Sequence, residues 1–191
     1  MADTNKVRFG LSNLYFGTYT VAANGTVTLG SPVKVPGAVS LNLDPETEET
    51  VFWADNVKYY VTNADNGFTG EVEVAAFNDD FKTTFMNYVA LADGGIAQIK
   101  GMDNQTCYMM FQSEGDAQSR RGILYNVSLG QISRSYQTTE GTKEPQTATL
   151  GITVVGDNET GITRASYTED ATGYSTLFSA PPVPNLPSNG N

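Results

Sequence analysis

The sequence predicts a mainly β fold with one α-helix at about residues 78–89. Nineteen glycines among 191 residues, together with frequent Thr and other β-branched residues, are typical of strands joined by tight turns. Several short segments alternate apolar and polar side chains, as half-buried strands do. A single segment has apolar residues at helical spacing. We therefore expect one β-rich domain with one packed helix.

The first predicted strands form a hairpin. Asn24-Gly25 separates "YTVAA" from "TVTL", and Asn-Gly favours a type I′ turn, in which both central residues have positive φ. A one-sided strand follows, in which apolar and polar residues alternate from Val39 to Asp44. The next segment, "DPETEE" at residues 44–49, predicts an exposed acidic loop. Its acids are Asp44, Glu46, Glu48 and Glu49.

The middle of the chain predicts a second hairpin and then the helix. "VKYYVT" and "FTGEVEVAA" are expected to pair across a turn at "NADNG", residues 63–67. In the second of these strands Val72 and Val74 face the core, while Glu71 and Glu73 share the opposite face. The helix is expected to begin at Asn78, with two acids in its first turn. Its buried face would carry Phe81, Phe85 and Tyr88.

The second half of the chain predicts six more strands and then a tail. The strand segments are "GGIAQIK", "TCYMMFQSE", "RRGILYNVSL", "TATLGITVVG", "TGITRASYT" and "GYSTLF". Residues 180–191 contain four of the eight prolines and no charge, which is typical of an extended, flexible segment. We therefore expect a single domain over residues 1–179 and a Pro-rich tail over 180–191.

The residue inventory argues against catalysis and metal binding. The chain has no histidine, which excludes Ser-His-Asp and Cys-His nucleophilic sites and the usual zinc sites. The one cysteine, Cys107, lies in an apolar segment and is expected to be a small buried hydrophobe. Residues 63–67 resemble the start of a calcium loop, but a strand follows them, so a turn is favoured. We predict no catalytic residue, no cofactor and no metal, and an enzyme using remote carboxylates ranks last.

The negative charge of the chain is concentrated in its middle. Of the net charge of −10, residues 44–116 carry 14 acids against three lysines. Residues 120–143 reverse the sign, with Arg120, Arg121 and Arg134 as the candidate basic contacts. Such a chain is a poor candidate for nucleic-acid binding through phosphate neutralisation. No apolar run approaches the length that crosses a bilayer, so no membrane partner is expected.

Three stretches carry a resemblance to a known family. They are "KVRFGLSNLYFGTYT", "VFWADNVKYYV" with "NGFTGEVEVAAFNDDF", and "RRGILYNVSLG" with "TTEGTKEPQTATLGITVVG". Together they resemble the major tail protein, or tail tube subunit, of long non-contractile-tailed bacteriophages, most of all those of phages and prophages of Gram-positive hosts. The resemblance covers most of residues 6–156. It implies a β-sandwich or partial barrel of the tail-tube type with one flanking helix.

The resemblance also implies a function and a set of partners. Such subunits form hexameric rings that stack into a tube through which genome DNA passes without specific binding. Tape measure, tail terminator and distal tail proteins would be further partners, in a virion tail assembled in the host cytoplasm. Glu71 and Glu73 would then face the lumen. The acidic segment 44–49 would contact the Arg120–Arg134 region of another subunit. Four aromatic residues would fill either the core or the seam between subunits: Phe52, Trp53, Tyr59 and Tyr60.

A second function from another class remains open at this stage. A monomeric β-sandwich that binds carbohydrate or a cell surface would use exposed aromatics such as Trp53 and Tyr59 as a stacking platform. Self-assembly of the pure protein would favour the tail tube. A change in Trp53 fluorescence on adding a glycan, without assembly, would favour the binding module.

Overall fold

The mainly β fold with one helix is confirmed. The computed structural model describes residues 9–114, 119–138 and 145–186, with 53% of the residues in strands and 4% in a helix. The elements are β1 (Phe9–Val21), β2 (Val27–Leu29), β3 (Val33–Lys34), β4 (Ala38–Ala54), β5 (Val57–Val74), α1 (Asp79–Phe85), β6 (Val89–Ala90), β7 (Ile96–Ala97), β8 (Cys107–Glu114), β9 (Arg121–Arg134), β10 (Ala148–Val154) and β11 (Arg164–Tyr167).

One antiparallel sheet curls around the main core. Its strand order is β2-β1-β8-β9-β10-β5-β4, with β3 paired to β1 and β11 paired to β9. Although β1 and β4 are far apart in this order, they approach within 8 Å between Cα atoms. Side chains from distant strands consequently meet in one cluster, among them Phe16, Val72 and Leu150. The sheet is therefore curved into a partial barrel.

Strand β8 is buried on both faces. Cys107 and Met109 belong to the main core cluster, while Tyr108 and Met110 belong to a second cluster with Leu177 of the C-terminal segment. Cys107 is 0% exposed, as the sequence predicted, and burial raises the pKa of its thiol to about 12. A second apolar layer thus covers the side of the central strands that faces away from the main core.

Helix α1 begins where the sequence predicts and ends earlier. The Asn78 side chain accepts a hydrogen bond from the Phe81 backbone N–H at 2.8 Å, which caps the first turn. Phe81 and Phe85 are buried in the main core. The prediction that the helix reaches residue 89 is wrong, because Asn87 has a φ of 52°. This left-handed conformation ends the helix. Tyr88 therefore lies beyond the end of the helix, where it packs against the core.

The β1–β2 hairpin is present, but its predicted turn type is wrong. Gly25 has a φ of 83°, whereas Asn24 is not among the residues with positive φ. The Gly25 N–H donates to the Ala22 carbonyl at 2.9 Å, and the Ala22 N–H donates to the Thr26 carbonyl at 2.9 Å. A three-residue loop with a left-handed glycine therefore closes the hairpin, in place of a two-residue type I′ turn.

The second predicted turn is in the wrong place. Residues 63–67 lie within β5, a continuous strand from Val57 to Val74. The chain reverses instead at Asp55 and Asn56, whose φ angles are 50° and 61° and which are among the residue types that tolerate this conformation. The Asp65 side chain accepts a hydrogen bond from the Gly67 N–H at 3.0 Å, and β4 shifts register opposite this point. The Asx cluster forms a bulge and not a turn.

The acidic segment 44–49 is also a strand and not a loop. It lies within β4 and pairs with residues 63–69 of β5. Its residues are exposed, as predicted. Strand pairing satisfies the backbone polar groups on one side of the segment, which explains how so polar a sequence is held extended.

Two of the six strands predicted in the second half of the chain differ from the structure. "GYSTLF" forms a series of turns, and "GGIAQIK" contributes only the two-residue strand β7.

The first residues of the predicted tail pack against the domain, because the Tyr125 hydroxyl donates to the Pro182 carbonyl at 2.9 Å and Pro184 is buried. The described chain therefore shows no break at residue 180, while residues 187–191 of that prediction lie outside the described part.

A buried carboxylate links β1 to the loop before β11. The Tyr19 hydroxyl donates to Asp157 Oδ1 at 2.6 Å, and the Thr160 N–H and hydroxyl donate to Oδ2 at 2.7 and 2.6 Å. Burial opposes ionisation of Asp157, but hydrogen bonds from Thr160, Tyr19 and the backbone outweigh it and lower the pKa of this carboxyl.

Asp157 is expected to make stability depend on acid pH. Because its folded pKa is lowered, its contribution is fully present above the unfolded pKa of about 3.9 and is lost as pH falls towards the folded value. We expect the free energy of unfolding, measured by urea denaturation from pH 6 downwards, to fall less steeply in Asp157→Asn than in wild type. Equal slopes in the two proteins would contradict this assignment.

Candidate assembly interface

A two-stranded arm projects from the sheet. We define the arm as residues 47–66, where β4 and β5 pair with each other from Thr47 to the turn at Asp55-Asn56. Strand β10 pairs with β5 only from Phe68 to Val74, so within the described chain no third strand accompanies the arm. At the usual rise, its eight residues from Thr47 to Ala54 extend about 25 Å.

The arm is exposed on both faces and has an apolar tip. Nearly all of its residues are exposed, and an isolated two-stranded ribbon is at best marginally stable in water. Four aromatics near the tip expose more than half of their surface: Phe52 59%, Trp53 59%, Tyr59 71% and Tyr60 60%. The expectation that these aromatics fill the core is wrong. Their alternative place, a seam between subunits, stays a prediction.

Acidic side chains surround the base of the arm. Residues 44–67 contain six acids and one base, Lys58; Asp55 lies in the turn at the tip, and the other five acids lie towards the base. Lys58 Nζ lies 3.4 Å from Glu49 Oε1, with both side chains about half exposed, so this pair contributes little to stability. Asp44, Glu46 and Glu48 make no ion pair within the described residues. The arm therefore combines an apolar tip with a strongly negative base.

The outer face of the sheet beside the arm is polar and acidic. Val72 and Val74 are buried while Glu71 is exposed and Glu73 half-buried, so the two acids point away from the core. Glu73 accepts hydrogen bonds from the Ser40 hydroxyl at 3.1 Å and the Thr147 hydroxyl at 2.5 Å. The cross-strand neighbours of Glu71 are Asn42 and Gly151.

This outer face carries no Lys or Arg within the described strands. We define the polar face by the outward residues of β4, β5, β10 and the second half of β9. Arg134 is the one base in these segments outside the arm, and it pairs with the buried Ala148 on the core side of the sheet. The members of the polar face are Ser40, Asn42, Asp44, Thr69, Glu71, Glu73, Ser128, Ser133, Thr149, Gly151 and Thr153.

Arg121 binds its own chain. Its Nη1 donates to the Tyr174 carbonyl at 2.5 Å, and its Nε donates to Gln112 at 3.4 Å. Its guanidinium carbon lies 4.0 Å from the centroid of the Tyr174 ring and 4.6 Å from that of Phe178. Arg121 thus attaches the C-terminal segment to β9 by hydrogen bonding and cation–π contact. These contacts give it a role within the subunit.

The other two candidate arginines lie in separate cavities. Arg134 lines a groove of about 340 Å³ beside Lys82. Arg120 lines a cavity of about 270 Å³ together with Arg164, a residue that the sequence did not single out. Arg164 reaches this place because β11 pairs with β9, with Arg164 opposite Leu124. No local sequence signal predicts that pairing, and Arg120, Arg121 and Arg134 do not form one basic patch.

No metal centre emerges within the described residues. No group of three or more His, Cys, Asp or Glu side chains there is placed to hold a metal ion. The single helix described is too short and too polar to cross a membrane. The features that stand out on the described surface are instead the arm and the polar face.

These features define a mainly β domain with a projecting acidic arm. The chain matches none of the models of known protein families, and it has no significant match among curated proteins.

Proposed function

We propose that the chain is a structural virion protein, a subunit that self-assembles into stacked hexameric rings to form a phage tail tube. The observation that carries the proposal is the arm. A ribbon of about 25 Å with four exposed aromatics near its tip has too few internal contacts to be stable alone. Burial against another subunit would remove this apolar surface from water and satisfy its unpaired edges.

The polar face supports the second part of the proposal, a conduit for genome DNA. A tube wall that carries Glu71 and Glu73 and no Lys or Arg would repel phosphates, so DNA would slide without binding. Repulsion between acidic subunits opposes stacking, but screening over about 8 Å at physiological salt limits that cost. The tape measure, tail terminator and distal tail proteins would complete a tail assembled in the host cytoplasm.

The proposal is tested by electron microscopy of the purified protein across a series of protein and salt concentrations. We expect rings or hollow tubes, with assembly favoured by higher salt because the subunits are acidic. A map of the tube should place Glu71 on the inner wall. Monomers alone under every condition would count against self-assembly, and a map with Glu71 on the outside or within an interface would refute the lumen assignment.

A specific observation keeps the binding module as the second candidate. Trp53 and Tyr59 are exposed near the arm tip, where aromatic rings can stack on sugars. Trp53 is the one tryptophan in the chain, so its fluorescence reports on this position alone. A glycan that changes this fluorescence while the protein stays monomeric would favour the binding module over the tube.

A further inference from the structure

Two stretches of the described chain carry most of its exposed apolar side chains. Of the sixteen large apolar residues that are exposed there, six lie in the arm and four lie between residues 89 and 102. The second group consists of Val89, Leu91, Ile99 and Met102. Groups of exposed apolar residues mark contact surfaces. The arm is therefore not the one apolar surface that an assembly of this chain would cover.

The second stretch leads into a groove beside β9. The groove has a volume of about 490 Å³, and its apolar wall is formed by Met86, Ile99, Met102 and Ile132. Among the described residues that line it, Lys100 is the one that carries a charge. We call this feature the methionine groove.

The loop that forms one side of the methionine groove is fixed to the rest of the subunit. The Asn104 side-chain amide donates to the Leu129 carbonyl at 2.8 Å and to the Gly130 carbonyl at 2.9 Å. The Gln105 N–H donates to the Phe85 carbonyl at 2.8 Å. Because the groove is already formed in the single subunit, a partner that enters it has little of this loop to order.

One face of the arm is aromatic. Phe52 pairs with Tyr60, and residues directly opposite each other in an antiparallel pair lie on the same face. The register shifts next to this pair, and the Tyr59 ring centroid lies 6.4 Å from that of Phe52. We define the aromatic face by these three rings. Strand alternation places Glu48 on the same side of the arm, nearer its base.

The arm and the methionine groove lie towards opposite ends of the sheet. Across β5, β10 and β9, Phe68 aligns with Val127 and Val72 aligns with Ile132. The arm continues β5 beyond Phe68 in one direction, whereas the groove lies about 13 Å from Phe68 in the other. The arm of a subunit therefore points away from its own groove, and its tip is roughly 40 Å from that groove along the strands.

We propose that the methionine groove receives the aromatic face of the arm of a second copy of this chain. The inference rests on the proposed self-assembly, and it names the surface that the arm contacts. A contact from one end of a subunit to the opposite end of the next can repeat without limit. Stacked rings require a contact of this kind.

The two surfaces match in area and in chemistry. The rings of Phe52, Tyr59 and Tyr60 are 59%, 71% and 60% exposed, so their burial would remove about 400 Å² from water, about half of what one partner buries in a stable interface. Methionine side chains adapt their shape to aromatic rings and contact them favourably through sulfur. Lys100 and Glu48 have opposite charges, and neither makes an ion pair within the described residues.

Two variants test the contact from its two sides. The groove variant, Ile99→Glu with Met102→Glu, places charge in the apolar wall, and the arm variant, Phe52→Ser with Tyr60→Ser, removes two rings. We expect each variant to weaken the association of rings by about tenfold or more. Electron microscopy should show single rings in place of tubes, and sedimentation velocity should show correspondingly smaller particles.

A matched control changes the same charge elsewhere. Val183 and Leu186 are 46% and 55% exposed, against 48% and 44% for Ile99 and Met102, so Val183→Glu with Leu186→Glu should form tubes as wild type does. Circular dichroism and thermal unfolding check that every variant remains folded. If the groove variant unfolds, Ile99→Ser with Met102→Ser takes its place.

Mixing the two variants tests whether the arm and the groove contact each other. The groove variant retains an intact arm, and the arm variant retains an intact groove, so one good contact can form between them. We expect the mixture to form paired rings, heavier than the particles of either variant alone and without long tubes. A groove variant that forms tubes as wild type does would overturn the inference and leave the proposed function intact.

Two further outcomes count against the contact. If both variants lose tubes but the mixture gives no heavier particle, the arm binds some other surface and the inference is overturned. A map of the wild-type tube with the aromatic face away from Met102 would do the same, whether the arms pack on each other or another segment fills the groove. Wild-type protein that never associates would overturn both this inference and the proposed function.

Discussion

Excision of the arm is expected to abolish assembly and to leave the domain folded. The variant replaces residues 47–66 with Asn-Gly, which closes a short hairpin between β4 and β5. No member of either core cluster lies in the removed segment, so the free energy of unfolding should change by only about 1 kcal/mol. Assembly should fall below detection, because the variant lacks the exposed aromatics and the free strand edges together.

The measurement pairs electron microscopy with urea unfolding of the same preparation. A control with Thr50→Ser and Thr62→Ser keeps the arm and its strand pairing, and it should assemble as wild type does. Tubes formed by the excised variant would show that the arm is dispensable, and the proposed function would then lose its main support. Loss of the folded domain would instead show that the arm stabilises its own subunit, contrary to its exposure.

Phe81→Ala is expected to cause the largest loss of stability from a single substitution. Phe81 is 0% exposed, and its ring centroid lies 4.8 Å from that of Phe77 and 5.1 Å from those of Phe16 and Phe85. Removing the ring leaves a cavity among rigid neighbours, which typically costs about 3–5 kcal/mol. Urea denaturation at neutral pH measures this loss.

Phe52→Ala is the matched control for that substitution. It removes the same ring from an exposed position at the arm, so the free energy of unfolding of the isolated subunit should change by about 0.5 kcal/mol or less. Equal losses in the two variants would mean that Phe52 is buried within the subunit in solution. Comparing the two free energies of unfolding therefore distinguishes a core position from an arm position without any measurement of assembly.

The sequence predicts those features that depend only on residues close together in the chain. The capping side chain of Asn78 and the spacing of Phe81 and Phe85 are sufficient to place the start and the buried face of α1. Alternation around Val72 and Val74 likewise predicts which face of β5 meets the core, because one buried face fixes the phase of a strand. These features need no knowledge of distant residues.

The arm could not be predicted because its local signals are ambiguous. Asp55-Asn56 and the cluster at 63–67 are both good turn sequences, and only the pairing of β4 with β5 over their full lengths selects the first. A strand that is exposed on both faces has no apolar alternation, so segment 44–49 resembles a loop. Arg164 was missed for a related reason, since its proximity to Arg120 depends on the pairing of β11 with β9.

The burial of Cys107 has a practical consequence for labelling. It is the one thiol in the chain, and enclosure in the core with a pKa near 12 keeps it protonated and inaccessible to alkylating reagents. A cysteine introduced at an exposed position would therefore be the sole reactive thiol, with no need to remove the native one. Dyes or spin labels placed in this way at the arm tip and beside the methionine groove would allow distances between subunits to be measured directly.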